Sequence, residues 1–103
     1  MILGLLKVIG TSLTPEVREG DFVLVSDIPF RLRAIRTGEV IVFRHPVYGT
    51  MIKKVQRLDA AGQIYVIGMN PESVDSREFG AISRSQVLGK VIWHIRAPAH
   101  GNG

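Results

Sequence analysis

GEVIVFRHPVYGTMIKKVQRL, residues 38–58, consists of two β-strand patterns joined by a turn. Gly38 introduces the apolar run at 39–43, Pro46 and Gly49 mark the turn, and residues 50–58 pair back as the second arm of a hairpin. Side chains alternate along a strand, so Met51, Lys53 and Val55 share one face while Ile52 and Lys54 take the other. If the first face is the covered one, a lysine lies among apolar neighbours. If it faces solvent, the lysines protect a sheet edge from aggregation.

On either side of this hairpin the chain continues as short strands. Residues 5–9, 22–25 and 63–67 are apolar and rich in β-formers, and a last strand over 87–95 contains Trp93 and is interrupted at Gly89. Residues 14–18 read as one helical turn, with Thr14 as cap, Pro15 at the first helical position and Glu16 complementing the dipole. Gly20 and Asp21 turn the chain into the next strand. Residues 27–37 and 70–80 read as loops. The pattern predicts an all-β domain with a curled, partly closed sheet and very little helix.

The 103 residues suffice for one modest core, with residues 1–96 as a single domain and 97–103 as a frayed tail. Apolar residues make up 46% and charged residues 21%, a globular composition that excludes disorder. The lack of cysteine removes disulfides and thiolate metal sites. His45, His94 and His100 show no ligand spacing and read as surface or strand residues, so neither metal nor cofactor is expected. The formal charge is +4, and part of the excess sits in Arg31, Arg33 and Arg36. Such a cluster suits anionic lipid, an acidic substrate, nucleic acid or plain solvent. Without an aromatic platform nearby, nucleic acid is not expected as a partner. No run approaches the ~20 apolar residues of a membrane span, and residues 1–7 lack the basic start and cleavage site of a signal peptide. The expectation is a cytoplasmic protein, or one in peripheral contact with an anionic membrane surface, without a transmembrane anchor.

Three segments place reactive groups where strands end. In the first, residues 8–15, Ser12 stands between a strand and a helical turn, Gly10 permits close backbone approach, and N–H groups at the turn can meet an oxyanion. Serine at such a place is otherwise a cap. The second segment holds Lys53. A lysine titrates near about 10.4 and becomes a base at neutral pH only when desolvated. The third, residues 68–80, gathers Ser73, Asp75, Ser76 and Arg77, and Asp75 can pair with Arg77 and stiffen the loop. It could equally be a solvated turn.

Taken in order, these segments resemble the signal peptidase I family: Gly10-x-Ser12-x-x-Pro15, then Ile52-Lys-Lys-Val55, then Asn70-x-x-Ser-x-Asp-Ser-Arg-x-Phe-Gly80. Glu19-Gly-Asp-x-Val-Leu-Val25 and Gly38-Glu-Val-Ile-Val-Phe43 add to the likeness, which runs from about Val8 to Val91. The resemblance implies a serine–lysine dyad on a β-rich fold shared with LexA-type self-cleaving repressors. By position, Ser12 resembles the nucleophile and Lys53 the general base, with Lys54 where arginine is usual. Ser73 resembles the serine that orients the lysine, and Asp75 and Arg77 the supporting ion pair. The Ser12 N–H resembles one oxyanion donor. Gly10 stands where some members carry a second, hydroxyl donor, and Thr11 and Leu13 complete the cleft candidates. Leu13 replaces a usual methionine, and Met69 replaces an aspartate.

The short interval from Lys53 to Ser73 resembles that of the maturation proteases of nickel-type superoxide dismutase, implying a precursor protein or leader peptide as substrate. Two alternatives remain. One is a LexA-like self-cleaving regulator, although no DNA-binding domain is expected in this chain. The other is a catalytically inactive binding module on the same fold.

Overall fold

The computed structural model describes residues 2–8, 18–68 and 73–96, apart from the side chains of Ile2 and Leu3. Among these, the strands β1 (Ile2–Lys7), β2 (Phe22–Ser26), β3 (Val40–His45), β4 (Gly49–Leu58), β5 (Ile64–Ile67) and β6 (Val87–Ile95) form one sheet. Their order is β1-β2-β6-β3-β4-β5, and every neighbouring pair is antiparallel. The sheet is open, with β1 and β5 at its edges. The chain is all-β, as its strand pattern implies.

The central hairpin forms in the register that its alternation demands: Ile41 faces Lys53, Phe43 faces Met51 and His45 faces Gly49. β3 runs two residues beyond the expected end at Phe43 because the turn supports it. His45 Nδ1 accepts the Val47 and Tyr48 amides at 3.0 and 3.3 Å. Gly49 leaves the turn at φ +77°, a backbone conformation that suits glycine.

Alternation then divides the apolar residues between two faces. Ile41, Phe43, Val55, Ile64 and Val66 join Phe30, Ile35, Ile82 and Val87 in one core cluster. Val8, Val23, Val25 and Val42 form a second, with Val40, Ile52 and Val91 packed against it. Each fully buried valine or isoleucine contributes about 1.5–3 kcal/mol, so these clusters, rather than helix propensity, hold the fold.

Two expectations need correction. Residues 27–37 are not all loop, for they contain the helix α1 (Ile28–Leu32), with Pro29 in its first turn. Five residues are too few to show a helical period, and α1 is held by the burial of Phe30 in the first core cluster. Residues 73–80, the described end of the expected 70–80 loop, contain the helix α2 (Ser76–Phe79), capped by Asp75. β6 is continuous as a strand, and the expected interruption at Gly89 takes the form of a register shift against β3, where Val42 pairs with Gly89 but Phe43 with Val87. A Cβ on Gly89 would lie 2.7 Å from the Ser26 carbonyl oxygen, so the glycine permits close strand approach. The first strand also starts earlier than expected, at Ile2. Ile9, residues 14–17 of the expected helical turn, and the tail from 97 lie outside the described residues.

Candidate active site

Lys53 occupies the face of β4 that the fold covers. Met51 and Val55 flank it along the strand, Ile41 faces it from β3, and only 3% of its surface is exposed. Lys54 points to the other face and is half-buried. Burial pushes the Lys53 ammonium below the ordinary lysine range; the nearby Asp75 carboxylate opposes that shift, and the Arg77 guanidinium reinforces it. No carboxylate among the described residues forms an ion pair with Lys53.

Asp75 comes close to this lysine through β5. Lys54 pairs with Ile67, so the next residue of the ladder, Gly68, stands level with Lys53. The Gly68 N–H donates to Asp75 Oδ2 at 2.8 Å. Arg77 donates to the same carboxylate from its backbone N–H and Nε, at 3.0 and 2.9 Å to Oδ1, and from Nη2, at 2.7 Å to Oδ2. Both oxygens are thus engaged in a side chain with no exposed surface. Burial alone would raise the Asp75 pKa, but the Arg77 guanidinium and the two amides outweigh it and hold the carboxyl below its ordinary value.

α2 is fixed to the sheet from both ends. The Val66 N–H donates to Ser76 Oγ at 2.8 Å, and Phe79 packs on the rings of His45 and Phe43 at 4.6 and 6.3 Å. Ser73, half-buried, lies two residues before Asp75. The structure therefore brings Lys53, Asp75 and Arg77 together and places Ser73 on the adjoining segment. Gly10, Thr11, Ser12, Leu13 and Met69 lie outside the described residues.

The described residues on either side of 9–17 meet at Asp21. The Val8 N–H donates to the Asp21 carbonyl at 2.7 Å, and the Gly20 N–H returns a bond to the Val8 carbonyl at 2.9 Å. The Arg18 N–H donates to Asp21 Oδ2 at 3.0 Å, and His94 Nε2 lies 2.7 Å from that oxygen. Asp21 is buried. The sequence marks Asp21 as a turn residue and His94 as a surface or strand residue, and neither reading contains their pairing. One signal was present, since Asp21 is in phase with Val23 and Val25 and so falls on a covered face.

The arginine cluster divides. Arg33 is bound to Glu39, its Nη1 donating to Oε1 at 3.1 Å, and Glu39 also takes Lys90 at 3.0 Å and the Arg36 N–H at 2.6 Å. Burial would raise Glu39, but Arg33, the Arg36 amide and Lys90 together hold it at about 2. Arg31 pairs with Asp27 at 3.2 Å and stays largely exposed. Among the described residues, no cluster of three or more His, Asp or Glu side chains could hold a metal, and no helix is long and apolar enough to cross a membrane.

A family model described as Peptidase S24-like matches residues 3–92. No curated protein matches the chain.

Proposed function

The chain belongs to the Peptidase S24-like family, and from that membership we propose that it is a serine endopeptidase in which Lys53 is the general base for Ser12. The observation that carries this reading is Lys53 itself, a lysine 3% exposed on the covered face of a central strand, with its pKa lowered by burial. A buried ammonium without a carboxylate partner is a liability for stability. Lowering the pKa raises the share of the neutral amine, the form that accepts a proton.

In the proposed step Lys53 Nζ takes the Ser12 hydroxyl proton as Oγ attacks a peptide carbonyl carbon. The tetrahedral intermediate collapses with cleavage of the C–N bond, and Lys53 returns the proton to the leaving amine. Water, activated in the same way, then hydrolyses the acyl ester. The Ser12 N–H stabilises the oxyanion. Ser73 orients Lys53, while Asp75 and Arg77 hold the segment that carries Ser73. Gly10, Thr11 and Leu13 are the substrate-cleft candidates of this reading.

The substrate in this reading is the N-terminal leader or signal segment of a precursor protein, with a nickel superoxide dismutase proenzyme as the specific candidate. An apolar shelf on the Lys53 face supports a substrate of that kind. Leu5, Leu24 and Trp93 stand in register across β1, β2 and β6, with Phe22 and Ile95 paired beside them. Leu5, Trp93, Phe22 and Ile95 are all exposed.

The family match favours a second reading, a LexA-like regulator that cleaves its own chain. Self-cleavage would proceed at a rate independent of protein concentration, whereas cleavage of a precursor would scale with enzyme. The primary test is a serine-acylating probe read by intact mass across pH. Wild type should gain one adduct as pH rises, and Ser12→Ala and Lys53→Ala should gain none. An adduct on folded Lys53→Ala equal to wild type would remove the dyad. No adduct on folded wild type would favour a binding module.

A further inference from the structure

α1 carries an apolar pair that points away from the core. Phe30 turns inward, with the guanidinium groups of Arg33 and Arg84 5.8 and 5.7 Å from its ring centroid. Residues two positions either side of it lie on the opposite side of a helix, which sends Ile28 and Leu32 outward together. Ile28 is 45% exposed and Leu32 81%. The surrounding charge is cationic. Arg31, Arg33, Arg36, Arg84 and Lys90 share this region with the carboxylates of Asp27 and Glu39, to which Arg31, Arg33 and Lys90 are paired. Arg36 and Arg84 are exposed.

We propose that this face docks on an anionic lipid surface, with Leu32 and Ile28 entering the headgroup boundary and Arg31 and Arg36 meeting the phosphates. Charge complementarity sets the sign of the partner, and geometry sets its kind. A stable protein contact buries about 1,600 Å² of matched surface, far more than two apolar side chains on a five-residue helix provide. A bilayer deforms around a small protrusion and needs only apolar insertion and positive charge, each near-surface arginine strengthening binding about fivefold. The inference does not depend on the peptidase reading.

Vesicle co-sedimentation of the full chain tests it, comparing phosphatidylserine–phosphatidylcholine vesicles with phosphatidylcholine alone. Binding should require phosphatidylserine and weaken with salt. It should fall about tenfold in Leu32→Glu and about fivefold in each of Arg31→Gln and Arg36→Gln, with thermal unfolding confirming that each variant is folded. Absence of binding to phosphatidylserine vesicles would overturn the proposal, as would equal binding by Leu32→Glu. So would a loss confined to Trp93→Ser, which would move the contact to the exposed face of β6.

Discussion

Two lysines flank Ile41 in the sheet, Lys53 from β4 and Lys90 from β6. Lys90 reaches Glu39 at 3.0 Å with its side chain 29% exposed. Lys53 is buried, and the carboxylate that influences it, Asp75, is already held by Arg77 and two backbone amides. Both lysines have a carboxylate in their neighbourhood. What separates them is whether that carboxylate is engaged elsewhere and whether water reaches the ammonium. A lysine becomes a candidate base when its charged form loses both water and partner.

Replacing Lys53 should give the largest effect. Lys53→Met keeps the apolar stem and should lower acylation of wild-type Ser12 by about 10²–10⁴-fold. At neutral pH it should nevertheless be as stable as wild type or more so, by about 1 kcal/mol. The sign of the pH dependence follows from the lowered folded pKa. The unfolded chain, titrating near about 10.4, binds the Lys53 proton more readily, so wild-type stability rises with pH across that window. Urea unfolding at pH 7 and pH 10 should show the advantage of Lys53→Met shrinking. An advantage independent of pH would mean that burial does not act on the charge.

Asp75→Asn sharpens the comparison from the other partner. It replaces a wholly buried carboxylate beside a half-exposed guanidinium, which should destabilise the fold by about 2–3 kcal/mol. It also removes the charge that favours the Lys53 ammonium. On folded Asp75→Asn the alkaline rise of acylation should therefore move to lower pH. A rise moved to higher pH would contradict the electrostatic account.

The Glu39 cluster should respond to acid instead. Glu39 titrates at about 2 in the fold and near about 4.3 when unfolded. Its contribution, on the order of 3 kcal/mol, is present above pH ~4.3 and lost as pH falls towards 2. Thermal melts over that range should be flatter for Glu39→Gln than for wild type. The smallest effect is expected for Lys90→Met, which removes a partly exposed ion pair. It should cost less than about 1 kcal/mol and leave probe acylation unchanged.

Much of this arrangement was legible in the chain. The two-residue period at Met51, Lys53 and Val55 fixed which residues share a face, because a strand allows no other spacing. Gly49 and Pro46 located the turn, and the proximity of Asp75 and Arg77 in sequence made their pairing nearly local. α1 and α2 were illegible for the opposite reason. With five and four residues, they are shorter than any period that could announce them. They exist because Phe30 and Phe79 find the sheet and because Ser76 takes an amide from β5 and Asp75 one from Gly68 just beyond it. Gly89 announces an irregularity in its strand, and only the pairing with β3 shows it to be a register shift rather than an end.

The sequence by itself determined the strands, the central register and the face on which Lys53 lies, since these follow from local spacing. Only the tertiary structure decided that this face is the covered one, that Asp75 is engaged away from Lys53, and that Lys90 is not. Burial and pairing depend on which distant segments arrive at a strand, and neighbouring residues along the chain do not encode that arrival. The same holds for His94, whose partner Asp21 is 73 residues away and reaches it only because β2 and β6 lie side by side.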